Sequence, residues 1–172
     1  MEGHSIKQLL ENTIFSYITD TDKNFICEFT EAMNQIGYTS NGKIVDGICY
    51  GRHMMIFRKM NVKSDRVYAR LYFRDSGVVV RLFFSNVTDH SNYISLTPDY
   101  IKESFVGNRA QCNHCRGDIC KFRKSYQIDG QDYDKCNGIT FKFFEPSVER
   151  LPSYMELFLQ FYPQKRLKQL YS

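Results

Sequence analysis

Tryptophan is missing altogether, and the chain has only 4 prolines and 10 glycines in 172 residues. A sequence so poor in breakers, with 42% hydrophobic and 15% aromatic residues, is neither a linker nor low-complexity; it has the material for a core. No run of about 18 apolar residues occurs, which argues against a spanning helix. Glu2, His4, Lys7, Glu11 and Asn12 interrupt the N-terminus, so no signal-peptide core is expected there. A phosphate-cradling loop is also lacking, because Gly42, Gly47 and Gly51 have neither the spacing nor the strand-to-helix setting of one. No G-x-S-x-G, H-E-x-x-H or kinase signature is found. The expected compartment is the cytoplasm, with no membrane partner.

What is present begins with an uneven charge. The net charge is +4, but residues 61–126 hold 11 basic and 6 acidic groups, while residues 1–60 and 127–172 are close to balanced. A basic middle attracts phosphate, nucleic acid or an acidic partner, although ordinary domains carry such surpluses too. Ser5 and Gln8 form a capping box for a helix over 5–18. A second helix starts near Asp20 with the stripe Phe25, Phe29, Met33 and Ile36, and Gly37 stops it. The two make an αα-hairpin.

The period then changes to two. A strand is expected over 47–59, with Ile48, Tyr50, Met54 and Ile56 on one face. Val67, Ala69, Leu71 and Phe73 form one face of the next strand, and Tyr68, Arg70, Tyr72 and Arg74 the other. Asp75-Ser76-Gly77 turns the chain back through Val78, Val80, Leu82 and Phe84. Thr97-Pro98 opens a short helix to about Phe105. Asp129-Gly130 marks a second hairpin, Ile139, Phe141 and Phe143 alternate in a further strand, and Tyr154, Leu157, Phe158 and Phe161 mark a last helix. The expectation is a single α+β domain over 1–172. It comprises an antiparallel sheet of about five strands, the αα-hairpin, a C-terminal helix and a small four-cysteine metal-bound insertion.

That insertion is carried by Cys112, Cys115, Cys120 and Cys136, a C-x2-C-x4-C-x15-C spacing. Two cysteines separated by two residues can face one ion across a tight turn, and four thiolates fill a tetrahedral zinc site with no position left for water. Residues 107–120 have few apolar side chains of their own, so a structural Zn2+ is expected to brace residues 107–140. An iron–sulfur cluster also takes four thiolates, although the plant-type pattern orders its spacings the other way round. Six cysteines in a reducing compartment read as ligands or buried thiols rather than disulfides. His114, between the first two cysteines, is a possible substitute ligand but is expected to hydrogen-bond outward.

This CNHC stretch, with Cys120, Cys136, Asp129-Gly130, Gly138-Ile139-Thr140-Phe141 and a Phe-rich end, resembles small uncharacterised cytosolic proteins of Gram-positive bacteria. The resemblance covers the C-terminal half and implies a bacterial cytosolic setting but no activity.

Three function classes compete. The first is a non-enzymatic, zinc-stabilised binding module that holds a small ligand or a protein on the face of Tyr68, Arg70, Tyr72, Arg74 and Arg81. Phe83 shares that face, and Arg52 or Lys142 joins it if their strands are neighbours. Aromatics stack flat groups and arginines hold phosphate, whereas the plain alternative is the polar outer face that any solvated sheet needs. The second class is a nucleic-acid binder that adds Arg116, Lys121, Arg123 and Lys124 to the same face. The third is an enzyme with a pocket near His90, between helices and sheet. Cys49 and His53 share a strand face but stand roughly 13 Å apart, too far for a nucleophile–base pair. Asp129, Asp132 and Asp134 lack the spacing of an EF-hand, and Lys165, Arg166 and Lys168 suit the last turns of a helix.

Overall fold

The capping box forms as expected: Ser5 and Gln8 exchange hydrogen bonds at the start of α1, Ile6–Leu10. The helix does not run on to residue 18. Asn12 accepts from the Ile14 backbone N–H and starts a separate 3-10 turn, Thr13–Phe15, because a short amide side chain competes with helical bonding. Ile14 is therefore left 57% exposed, while Phe15 and Ile18 enter the core. Thr19 caps α2, Asp20–Gln35, whose Phe25, Phe29 and Met33 are buried, and Gly37 leaves it at φ 86°. The computed structural model describes residues 5–48, 50–106, 123–135 and 139–164.

The strands are β1 (Tyr38–Thr39), β2 (Val45–Asp46), β3 (His53–Lys59), β4 (Ala69–Arg74), β5 (Gly77–Phe83), β6 (Lys124–Ile128), β7 (Gln131–Lys135) and β8 (Thr140–Phe144). The remaining helices are α3 (Ser91–Ser95), α4 (Asp99–Val106) and α5 (Leu151–Phe161). In the main sheet β1 and β2 both pair with β3, and β4, β5 and β8 follow in that order. All of these pairings are antiparallel, and β6–β7 is a separate ribbon turning at Asp129-Gly130. This is an α+β fold with an antiparallel sheet and a C-terminal helix.

The strand expected over 47–59 is shorter because Gly47 and Gly51 make a turn instead. Gly47 N–H donates to the Arg52 carbonyl at 2.8 Å, and Arg52 N–H to that of Phe73 at 2.8 Å. A Cβ on Gly47 would stand 2.2 Å from the Gly51 carbonyl oxygen, and one on Gly51, at φ 89°, would stand 2.8 Å from that of Phe73. Only glycine admits so close a crossing.

Helices cover one face of the sheet. Met55 and Phe57 of β3, Leu71 and Phe73 of β4, Val80 and Leu82 of β5 and Phe141 and Phe143 of β8 are buried there with Phe25, Phe29, Phe105, Tyr154 and Phe158. The β6–β7 ribbon joins this side. Tyr126 and Ile128 enter the same core, the Tyr126 hydroxyl donates to the Phe105 carbonyl, and Asp129 N–H donates to Ser91 Oγ at 3.1 Å. Lys135, also buried, donates to the Ser104 carbonyl at 2.6 Å, and burial pulls its pKa down to about 8. Among the described residues no helix is long and apolar enough to cross a membrane.

Candidate anion-binding face

The pleat of β3, β4, β5 and β8 sends every second side chain to the face opposite the helices. Pairing aligns them in rows across the sheet. Ile56, Arg70, Arg81 and Lys142 are successive cross-strand partners, and Met54, Tyr72, Val79 and Phe144 form the next row. Met54, Tyr72 and Val79 make a second, small buried cluster edged by Tyr50, Ile56 and Phe144, and none of the described helix residues belongs to it. Among the described residues, the face is closed by its own side chains.

Tyr72 organises the cations. Its hydroxyl accepts from Arg70 Nη1 at 3.1 Å and from Arg81 Nη1 at 3.2 Å, while Arg81 Nη2 donates to Thr140 Oγ1 at 2.9 Å. Both guanidinium groups stand 5.5 Å from the Phe83 ring centre. Burial favours the protonated phenol, but the hydrogen bonds and charges of Arg70 and Arg81 outweigh it, so the Tyr72 pKa falls below the ordinary tyrosine value. Tyr50, delivered by the glycine turn, packs edge-on against Tyr72 at 5.1 Å. It accepts from Arg74 Nη1 at 2.9 Å and lies under both Arg74 and Lys142, each 4.5 Å from its ring centre.

Like charges in directly opposed positions destabilise a sheet, and here they recur on three adjacent strands. The ion pairs among the described residues are Arg52–Asp75, Lys102–Asp129 and Arg123–Asp134, so Arg70, Arg74 and Arg81 have no carboxylate partner there. The Nε atoms of Arg58, Arg70 and Arg81 are buried with no hydrogen-bond acceptor among the described residues. A buried donor left unmade costs about 1–3 kcal/mol. An anion seated on this row would supply the missing negative charge.

The other sequence expectations fall elsewhere. Tyr68 does not share the face of Arg70, Tyr72 and Arg74. Its backbone still bonds to Phe57 and Phe83, but its ring packs 4.9 Å from both Tyr38 and Tyr162, under the Arg66 guanidinium. Arg52 is exposed, paired with Asp75 at 2.7 Å and set over the Tyr17 ring. Arg123 and Lys124 sit on the β6–β7 ribbon of the helix side, and Arg123 is paired with Asp134 at 3.4 Å, so they do not extend the Arg70–Arg81 face. His90 packs at a tilt against Phe161, 4.1 Å between ring centres, and meets the Gln160 amide at 3.4 Å. The space between helices and sheet, where an enzyme pocket was expected, is packed with the apolar core. His53 Nδ1 is hydrogen-bonded to the Tyr17 hydroxyl at 2.8 Å.

Cys112, Cys115, Cys120 and Cys136 lie outside the described residues, as do Cys49, His114, Arg116, Lys121, Lys165, Arg166 and Lys168. Among the described residues no three His, Cys, Asp or Glu side chains group as a metal site, and the Asp129, Asp132 and Asp134 trio is no exception. Cys27 is a free, half-buried thiol whose pKa burial raises.

No protein-family model, curated protein or solved structure matches this chain. The functional reading therefore stands on the geometry.

Val79 and Phe144 escaped sequence reading because they count as ordinary strand residues until register places them beside Tyr72. The signal for Tyr50 was the pair Gly47 and Gly51, a turn rather than a phosphate loop.

Proposed function

We propose that the protein is a non-enzymatic binding module that holds an anionic ligand on the Arg70, Arg74, Arg81 and Lys142 face, with Tyr72 as its floor. One observation carries this reading. The register sets Arg70, Arg81 and Lys142 side by side on neighbouring strands, and Arg70 and Arg81 have no carboxylate partner among the described residues. A solvated outer face needs polar residues, but it does not need three cations in one row. Guanidinium forks match phosphate and carboxylate oxygens in pairs, which suits them to this task.

A four-thiolate zinc in residues 107–140 completes the proposal as a structural brace. The spacing of Cys112, Cys115, Cys120 and Cys136 supports it. So does the pairing of Lys124 with Lys135, which brings the chain flanking Cys120 and the chain flanking Cys136 to one end of a ribbon. In this reading the metal supplies folding energy, and the ligand meets the sheet.

Thermal unfolding in phosphate and in chloride at equal ionic strength tests the binding claim. Phosphate should raise the midpoint of the natural protein by several degrees more than that of Arg81→Gln, which shows only the general effect of an excluded salt. Equal midpoints for the natural protein in the two salts would rule the anion site out.

A further inference from the structure

The cationic row is flanked by two depressions that share the rim residues Phe144 and Glu145. One, of about 430 Å³, lies at the β4–β5 hairpin end and is lined by Arg74, Ser76, Val79 and Phe144 among others. The other, of about 260 Å³, is polar, with Lys142, Arg150 and Glu103 in its wall. Phe144 is half-buried and Glu145 exposed. Val79 and Phe144 are directly paired, and each is two residues along its strand from the cation of the next row, Arg81 or Lys142. Two residues along a strand is about 7 Å.

A charged row, an aromatic and aliphatic seat about 7 Å away, and an exposed carboxylate on their common rim define a ligand with three parts. It has an anionic head, a flat part about 7 Å along the strand and, past it, a group that donates hydrogen bonds. Resting on the anion-site reading above, we infer that the ligand is a mononucleotide, a nucleoside monophosphate. The phosphate takes the guanidinium groups of Arg70 and Arg81, whose buried Nε–H donors lack acceptors among the described residues. Glu145, one residue past Phe144 and so on the far side of the base from the cationic row, accepts from an exocyclic amino group of the base. The base lies against Phe144 and Val79. Stacking on an aromatic ring is tolerant of base identity, since every base offers a π-face. A long single strand is a poorer fit, because the cations of the β6–β7 ribbon that would extend the track lie on the helix side.

Calorimetric titration of the full-length protein with AMP, adenosine and inorganic phosphate tests this. AMP should bind at least tenfold more tightly than either adenosine or phosphate. Arg81→Gln should weaken AMP and phosphate alike by tenfold or more. Phe144→Ala should weaken AMP about tenfold and leave phosphate unchanged. Glu145→Gln, an exposed change with no folding role, should weaken AMP in the same selective way. If phosphate binds as tightly as AMP and neither Phe144→Ala nor Glu145→Gln separates them, the nucleotide assignment fails and the anion site stands. If neither AMP nor phosphate binds, both readings fail together. AMP binding that is indifferent to Arg81→Gln would place its site elsewhere and overturn the inference.

Discussion

If Arg70 and Arg81 await an external anion, they must repel one another without one. Both donate to the Tyr72 hydroxyl, at 3.1 and 3.2 Å, so their Nη1 atoms are no more than about 6 Å apart. At an effective dielectric constant of about 20, two unit charges at that separation repel by about 3 kcal/mol. Both side chains reach solvent, and a Debye length of about 8 Å at physiological salt screens part of the repulsion. Cross-strand pairs contribute up to about 1 kcal/mol in measured cases, and that is the magnitude expected here, with a repulsive sign.

A double-mutant cycle isolates the pair. Arg70→Gln, Arg81→Gln and the double variant are unfolded in urea at low salt. Each single change loses a hydrogen bond to Tyr72, and Arg81→Gln also loses the one to Thr140, so the single variants need not be more stable than the natural protein. The second substitution should cost about 1 kcal/mol more when the first has already been made, because the relief of repulsion is available only once. At 1 M salt, where the Debye length is about 3 Å, the coupling should shrink to a few tenths of a kcal/mol. A coupling of zero or of attractive sign at low salt would refute the reasoning, since it would mean that Tyr72 itself neutralises the pair.

Tyr72 should be the first tyrosine to ionise as pH rises, seen as phenolate absorbance that Tyr72→Phe removes. Tyr38 and Tyr154, held up at about 12 by burial, should follow much later. Because its folded pKa is lowered, Tyr72 adds stability as pH rises from that value towards its unfolded value, and loses it as pH falls back; urea midpoints of natural protein and Tyr72→Phe over alkaline pH check the sign. Gly51→Ala forces a Cβ to 2.8 Å from the Phe73 carbonyl at a φ of 89° and should cost about 2 kcal/mol in urea unfolding; an unchanged midpoint would show that the turn is not needed. Elemental analysis should find one tightly bound zinc per chain that Cys112→Ser or Cys120→Ser releases, and protein that is metal-free or iron-loaded as purified would remove the zinc brace.

The parts of the fold legible in sequence were those with a strong local cause. The Phe25, Phe29, Met33 stripe and Gly37 bounded α2, and Asp75-Ser76-Gly77 and Asp129-Gly130 set both hairpins. Alternation along β4 and β5 placed Arg70, Tyr72, Arg74 and Arg81 on one face, because strand period is a local property. Non-local facts were not legible. That β8 pairs with β5, and so sets Lys142 beside Arg81, depends on a crossover that no local pattern encodes. Tyr68 was misplaced because its ring is drawn to Tyr38 and Tyr162, partners distant in sequence that alternation does not reveal. Asn12, read as part of a helix, capped a new turn instead. The helices Ser91–Ser95 and Ile6–Leu10 are too short for a period to be read with certainty of length.

Arg70 and Arg81 are proposed to bind an anion together, and arginine side-chain NMR during titration with inorganic phosphate tests this most directly. The Nε–Hε signals of Arg70 and Arg81 should shift together and saturate, while that of Arg52, already held by Asp75, stays in place. Signals of Arg70 and Arg81 that remain still, or that drift only in step with Arg52, would contradict the account.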